Sequence, residues 1–333
     1  MTDLLTVRGL RVEYGRGRRK VQAVSGIDLD VRAGETLGLV GESGCGKSSA
    51  ARAIVQVERS AGGSVVFDGV DLTALRRRRL REARMAMQMV FQDPVSSLNP
   101  RRRVRDIVAE PLDIWRRGTR AERDDAVATM LEAVGLDPAV AGGRRPSEFS
   151  GGQCQRISIA RALVTEPKLL VCDEIVSALD VSVQAQILNL LEDLKARYGL
   201  SVLFIAHDLA VVKNVSDRVA VMYLGTVCEV APADALYRRP AHHYTAALVG
   251  SAVDPDPDAP RATPLGGEPP SPIDPPPGCR FRTRCPRAEA RCAAEVPVLR
   301  EVAPGQAVAC HFPLASPPLV SPPLGRPTVP PAG

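Results

Sequence analysis

The octapeptide Gly41-Glu42-Ser43-Gly44-Cys45-Gly46-Lys47-Ser48 constrains this chain more than any other stretch. Its Gly, four-residue gap and Gly-Lys-Ser follow an apolar strand, Thr36 to Val40, and open a helix at Ser49. Glycines let a backbone curl until its N–H groups point at phosphate oxygens, and the helix N-terminus adds partial positive charge. Lys47 then reaches the outer phosphates, and the Ser48 hydroxyl serves Mg²⁺. Gly41, Ser43, Gly44, Cys45, Gly46 and Ser49 complete the cradle, so the loop predicts binding of a nucleoside triphosphate such as ATP. A chain built around such a loop is expected to be α/β, with a parallel core sheet and helices.

A second strand, Leu169-Leu170-Val171-Cys172, ends in Asp173-Glu174. Four apolar residues in a row fit a central strand covered on both faces. Asp173 would emerge at its carboxyl end, where α/β sheets bind ligands, and hold Mg²⁺ directly or through water. Glu174 is placed to orient and deprotonate an attacking water. An ordinary strand ending in solvated acids is the plain alternative, and the upstream loop argues against it. A third apolar strand, Ser201 to Ala206, leads to His207. A lone strand-end His is more often a packed core residue, but after the acidic pair this one is placed for the γ-phosphate. Gln92, after Met89-Val90-Phe91, offers an amide to metal and water. Ser150-Gly151-Gly152-Gln153 makes N–H groups approachable at a helix start, which is a second anion site or a simple N-cap with flexible glycines.

Residues 1–250 alternate strands, helices and Gly turns in the manner of one α/β domain. Leu4 to Glu13 and Ile27 to Val31 alternate apolar and polar residues, and Val65 to Gly69 adds a strand and turn. A small antiparallel sheet is therefore expected beside the parallel core. Residues 251–278 carry Asp-Pro and Pro-Pro repeats and read as a linker; 279–313 form a short cysteine-containing module, and 314–333 a disordered Pro-rich tail. No apolar run reaches bilayer-spanning length, and Met1 to Gly9 lacks the apolar core of a secretory signal. Cytosolic residence is expected, which makes eight cysteines thiols or metal ligands rather than disulfides. A formal charge of +5 does not by itself argue for nucleic acid.

Taken in order, these residues resemble the ATP-binding subunit of an ABC transporter. Gly41 to Ser48 matches the Walker A loop, Gln92 the Q-loop, and Ser150 to Gln153 the signature. Leu169 to Glu174 matches Walker B, Ser177-Ala178-Leu179-Asp180 the D-loop, and His207 the switch histidine. Tyr14 stands where the family places its adenine-stacking aromatic. The resemblance implies an α-helical signature subdomain and head-to-tail pairing with a second ABC ATPase subunit. The signature of one subunit would close on the ATP held by the Walker motifs of the other, and hydrolysis would release the pair. It also implies two transmembrane permease subunits, an extracytoplasmic solute-binding protein, and a peripheral place on the cytoplasmic side of the cell membrane. Nucleic acid is not an expected partner.

Finer stretches resemble the oligopeptide and dipeptide importer branch, in the F-type of its two paired ATPases. These are Phe91-Gln92-Asp93-Pro94 running on to Ser97-Leu98-Asn99-Pro100-Arg101, Ser177 to Gln186, and Pro240 to Thr245. The implied function is ATP hydrolysis that energises peptide uptake. A nickel or other small-solute importer, and a non-transport ABC ATPase of nucleic acid or ribosome, are the alternatives. Three positions depart from the family: Ile175 and His243 stand in place of Pro, and Cys154 in place of a basic residue. None of them removes a phosphate or metal ligand. Arg76 to Arg79 with Arg81 and Arg84, and Arg101 to Arg103, read as a solvated face, as contacts for anionic lipid or acidic permease loops, or, third and with few aromatics interleaved to stack bases, as a nucleic-acid surface.

Cys279, Cys285, Cys292 and Cys310 are separated by 5, 6 and 17 residues. Four thiols in a segment too small for its own core suggest a metal staple. The paired knuckles of most structural zinc sites are missing, and longer gaps suit an iron–sulfur cluster held by wrapping loops. The family branch shows the same Gly-Cys-Arg-Phe and Arg-Cys-Pro pattern, and a [4Fe–4S] cluster is implied by it. Zinc, and reduced thiols packed as plain hydrophobes, remain open beside it.

Overall fold

The computed structural model describes residues 3–15, 20–252 and 266–314. Alternation decides the first sheet. Strand β1 (Asp3–Tyr14) buries Leu5, Val7, Leu10 and Val12, and β2 (Val21–Arg32) buries Ile27, Leu29 and Val31. They pair antiparallel with Val7 opposite Leu29. The chain then leaves for a second sheet through β3 (Thr36–Val40), and returns with β4 (Gly62–Phe67) and β5 (Val70–Asp71) to complete the order β2-β1-β4-β5.

The second sheet runs, in order, β11 (Arg300–Ala303), β12 (Gln306–Val308), β10 (Thr226–Pro232), β9 (Arg218–Tyr223), β3, β8 (Ser201–Ala206), β7 (Leu169–Asp173) and β6 (Met87–Val90). Its parallel part comprises β3, β6, β7, β8 and β9. Every residue of β3, β7 and β8 is buried, which is why these strands are unbroken apolar runs rather than alternating ones. Parallel pairing sends their carboxyl ends to one edge. The loop after β3, the acids after β7, the His after β8 and the Gln after β6 therefore emerge together.

Between β6 and β7 the helices Val104–Trp115, Arg120–Ala133 and Gly151–Leu163 pack through Val104, Ile107, Val108, Val127, Leu131 and Ile157. This is the helical subdomain that the resemblance implied. Among the described residues no helix is long and apolar enough to cross a membrane.

The cysteine-bearing segment joins the main sheet. Strand β10 (Thr226–Pro232) runs antiparallel to β9, β12 (Gln306–Val308) pairs with β10, and β11 (Arg300–Ala303) pairs with β12. The fully buried Glu229 staples this edge by accepting hydrogen bonds from Ala241 N, His242 N and Gln306 Nε2, each at 2.8 Å. Part of the stretch expected as a linker is docked too, since Pro272 O accepts a hydrogen bond from Gln22 N on β2 at 2.9 Å. Residues 253–265, and all but the first of the expected tail, lie outside the described residues.

Candidate functional site

The loop after β3 is shaped by two glycines that no other residue could replace without movement. Gly46 caps the helix Lys47–Ile54 with φ of 104°, and a Cβ there would lie 2.0 Å from Ala23 O. At Gly41 a Cβ would lie 2.1 Å from Met222 O. The loop is thus pressed against the backbones of β2 and β9, and only bare Cα atoms fit. Lys47 is buried and donates to Gly41 O at 2.8 Å and Glu42 O at 3.0 Å. Ser43 and Gly44 are exposed at the loop's crest, and burial raises the pKa of the Cys45 thiol behind it. Tyr14 OH hydrogen-bonds Ser49 Oγ at 3.1 Å and Glu58, which holds a half-exposed ring beside the loop.

Asp173, the last residue of β7, is only 2% exposed and accepts a hydrogen bond from Ser48 Oγ at 2.9 Å. Burial raises its pKa first, the Glu174 charge adds to the rise, and the Ser48 hydrogen bond opposes it. A buried carboxylate of this kind is stabilised by a cation. With the Ser48 hydroxyl and the Gln92 amide it supplies hard oxygen donors, the chemistry that suits Mg²⁺. These residues fit the ion.

Glu174 has φ of 50°, and its N–H is drawn onto Ile205 O of β8 at 2.9 Å. The buried Ile175, standing where the family has Pro, follows it into the turn. The Glu174 side chain is 16% exposed and stands among three partners. Gln92 Nε2 donates to Oε2 at 3.1 Å, His207 Nδ1 lies 3.9 Å from the same oxygen, and Lys47 Nζ lies 3.8 Å from Oε1. His207 keeps 54% of its side chain exposed, so it can reach a ligand as well as Glu174. Ser177 Oγ donates to Glu174 O at 2.9 Å and ties the following turn to this group.

Ser150 to Gln153 is not part of that cluster. Ser150 caps the helix Gly151–Leu163 through a capping box: Gln153 N donates to Ser150 Oγ at 3.3 Å and Ser150 N donates to Gln153 Oε1 at 3.0 Å. A Cβ on Gly152 would lie 2.5 Å from Val183 Cγ1, so this helix start is pressed against the helix Val181–Tyr198. Among the described residues, no side-chain hydrogen bond from Ser150 or Gln153 reaches the phosphate loop or the acidic pair.

Sequence reading missed three residues that shape the loop from behind. Glu42 is gripped by both Arg284 nitrogens, and Tyr244 OH accepts a hydrogen bond from Glu42 N at 2.9 Å. Tyr223 lies under the Arg284 guanidinium. No spacing signal joins positions so far apart.

The four C-terminal cysteines differ from expectation. Among the described residues no group of three or more His, Cys, Asp or Glu side chains is placed to hold a metal ion. All four are free thiols, with Cys292 and Cys310 buried. Burial first, and neighbouring thiols second, raise the pKa of Cys279, Cys285 and Cys310, the last to about 11. With no such group found, a [4Fe–4S] cluster or zinc at these cysteines gains no support. The four thiols are near enough to act on one another, as their spacing led one to expect, but no three are set to hold a metal ion among the described residues.

Comparison with known proteins places this geometry in context. Residues 24–177 match the family model described as ABC transporter, and residues 228–292 match the model described as oligopeptide/dipeptide transporter, C-terminal region. The chain is 52% identical over 292 residues to a probable peptide ABC transporter ATP-binding protein of Sinorhizobium fredii, covering 87% of this chain and 82% of that one. It is 53% identical over 285 residues to the oligopeptide transport ATP-binding protein OppF of Salmonella typhimurium, covering 84% and 85%. Among solved structures, cbiO1 of Clostridium perfringens, part of the ABC transporter complex cbiONQ, superposes with a TM-score of 0.65 at 26% identity over 71% of this chain and 91% of that one. The ATP-binding cassette MJ0796, in a dimeric post-hydrolysis state bound to ADP and Pi, gives 0.63 at 27% identity over 69% and 98%.

Proposed function

The chain belongs to the ABC transporter family, in the branch that carries the oligopeptide/dipeptide transporter C-terminal region, and from that membership we propose how its site works. It is the ATP-hydrolysing subunit of a peptide importer. The observation that carries the mechanism is the convergence of Lys47, Gln92 and His207 on Glu174, at 3.8, 3.1 and 3.9 Å. Bound MgATP supplies the γ-phosphoryl group that water attacks. Lys47 and the loop N–H groups would hold the phosphates, and Ser48, Gln92 and Asp173 would hold the metal. Glu174 accepts the proton of the attacking water at its carboxylate, and His207 bridges Glu174 and the γ-phosphate. Tyr14 offers its ring to the adenine.

The capping-box signature of a second, paired ATPase subunit completes the site. Support comes from the geometry: among the described residues, the side chains of Ser150 and Gln153 hydrogen-bond each other's backbone and none of the ligand groups. The partners are two permeases and a solute-binding protein, with this subunit peripheral on the cytoplasmic face of the membrane. A groove of about 670 Å³ lined by Phe91, Gln92, Ser96, Glu110, Trp115 and Arg161 opens beside the catalytic group, and we assign the permease contact to it. The F-type assignment within the pair draws support from the identity to OppF. No step runs through a cluster or zinc at the C-terminal cysteines. The Sinorhizobium and Salmonella relatives carry peptide-transport names, so the nucleic-acid alternative gains no support.

The test is Glu174→Gln. This variant is expected to bind ATP normally, to lose hydrolysis by about a hundredfold or more, and to accumulate as a paired dimer in MgATP. Retained turnover would remove Glu174 from the role of base.

A further inference from the structure

Glu42 lies next to Gly41 in the phosphate loop, yet the residue that grips it comes from the far end of the chain. Arg284 Nη1 and Nη2 donate to Glu42 Oε2 and Oε1 at 2.7 and 3.0 Å, a two-pronged contact. The arginine is itself fixed. Its side chain is 5% exposed, its guanidinium sits 5.8 Å over the Tyr223 ring, and its Nε donates to Gly266 O at 3.0 Å.

The Glu42 backbone is tied as well. Its N–H donates to Tyr244 OH, and its carbonyl accepts from Lys47 Nζ at 3.0 Å and from Cys45 N at 3.3 Å. Tyr244 and Tyr223 meet edge to face at 4.7 Å, and Phe281 packs on both at 5.4 and 5.2 Å. A second route runs in parallel. Arg280 donates to Leu224 O and to Gln22 Oε1, and the neighbouring Gly225 N donates to Cys45 O at 2.8 Å. The stretch from Arg280 to Arg284 therefore reaches the loop at Glu42 and behind Cys45.

Charge gives this contact a consequence for the ligand. A carboxylate in the phosphate loop opposes a bound triphosphate. Arg284 cancels that charge, and its planar fork fixes where the carboxylate points. Removing the arginine leaves a partly buried, uncompensated negative charge beside the phosphates. We propose that Arg284 is a positioning residue for nucleotide binding, by which the C-terminal segment holds and neutralises the phosphate loop through Glu42. The proposal rests on the ATP reading above and adds to it the element that sets affinity.

The experiment uses the full chain carrying Arg284→Met, Arg284→Lys, or Arg284→Met with Glu42→Gln. A fluorescent ATP analogue with Mg²⁺ is titrated well below each variant's unfolding midpoint, and kcat and KM for ATP are measured. Arg284→Met is expected to raise Kd and KM about tenfold with kcat within about twofold, the size of one lost charge-assisted contact. Arg284→Lys, which keeps the charge but not the fork, is expected to raise both about threefold, and it carries the test if the Met variant does not fold. Adding Glu42→Gln to Arg284→Met should restore affinity to within about threefold, because the stray charge is gone. A merely structural arginine would lower the unfolding midpoint and leave Kd and KM at wild-type values in both single variants, and that result overturns the proposal. Wild-type protein that fails to bind the analogue would instead sink the ATP reading, and this inference with it.

Discussion

Ser48 Oγ donates a hydrogen bond to Asp173 Oδ1 at 2.9 Å, joining residues 125 positions apart. Parallel pairing of β3 with β8 and of β8 with β7 brings the phosphate loop and the acidic pair to one edge, and this bond closes the distance left. Asp173→Asn keeps the hydrogen-bonding shape and removes the charge. Nucleotide binding without magnesium should be unchanged, the gain on adding magnesium should disappear, and turnover should fall about a hundredfold or more. Titrations in chelator and in magnesium decide it. An undiminished magnesium response would take Asp173 out of the ligand set.

His207 Nδ1 lies 3.9 Å from Glu174 Oε2, close enough to tighten onto it when the site is filled. Its half-exposed side chain contributes little to the core, so His207→Ala is expected to fold normally. The kcat should drop about a hundredfold while KM stays within about threefold, since the contact matters in the transition state more than in ground-state binding. A rise in KM with unchanged kcat would make His207 a binding residue instead.

Legibility in the sequence followed the range of each interaction. The buried strands announced themselves because a strand covered on both faces needs apolar residues at every position, as in Leu169 to Cys172. The β1–β2 pair announced itself by alternation. The loop and its helix are local, and spacing fixes them. The Arg-rich helix Arg77–Met85 buries no residue, in keeping with a solvated face. Contacts between distant segments left no such trace. Nothing marks Arg284 as the partner of Glu42, or Glu229 as the staple that draws β12 onto β10. A segment that looked too small for its own core borrows the core sheet, because β10 offers an unpaired edge.

Gly46→Ala tests the close approach of the loop to β2. The added Cβ would sit 2.0 Å from Ala23 O, a backbone atom that cannot swing aside, and φ of 104° is strained for any side chain. Both effects act on the folded state. Stability should fall by roughly 2–4 kcal/mol, and nucleotide affinity should be lost with the loop's shape. Urea unfolding and nucleotide titration measure the two separately. Wild-type affinity in this variant would mean that the loop has room the present contacts deny.

His242 links the C-terminal edge to the pH of its surroundings. It is buried, its Nδ1 accepts a hydrogen bond from Tyr244 N at 3.0 Å, and its own N–H is held by Glu229. Burial, with the neighbouring His243 as a lesser cause, lowers its pKa to about 3, so the folded protein keeps it neutral. In the unfolded chain it titrates near the ordinary value of about 6.5. Between those two values the unfolded state takes up a proton that the folded state refuses. The stabilisation is therefore fully present above about pH 6.5 and is lost as pH falls towards 3, with a slope of up to about 1.4 kcal/mol per pH unit. His242→Asn retains an acceptor for Tyr244 N without a titrating ring. It should lower stability at pH 7.5 by about 1–2 kcal/mol and flatten the decline between roughly pH 6 and 4. Urea midpoints across that range, wild type against variant, read the difference in slope. Parallel curves would mean that the folded protein accepts the proton on His242 after all.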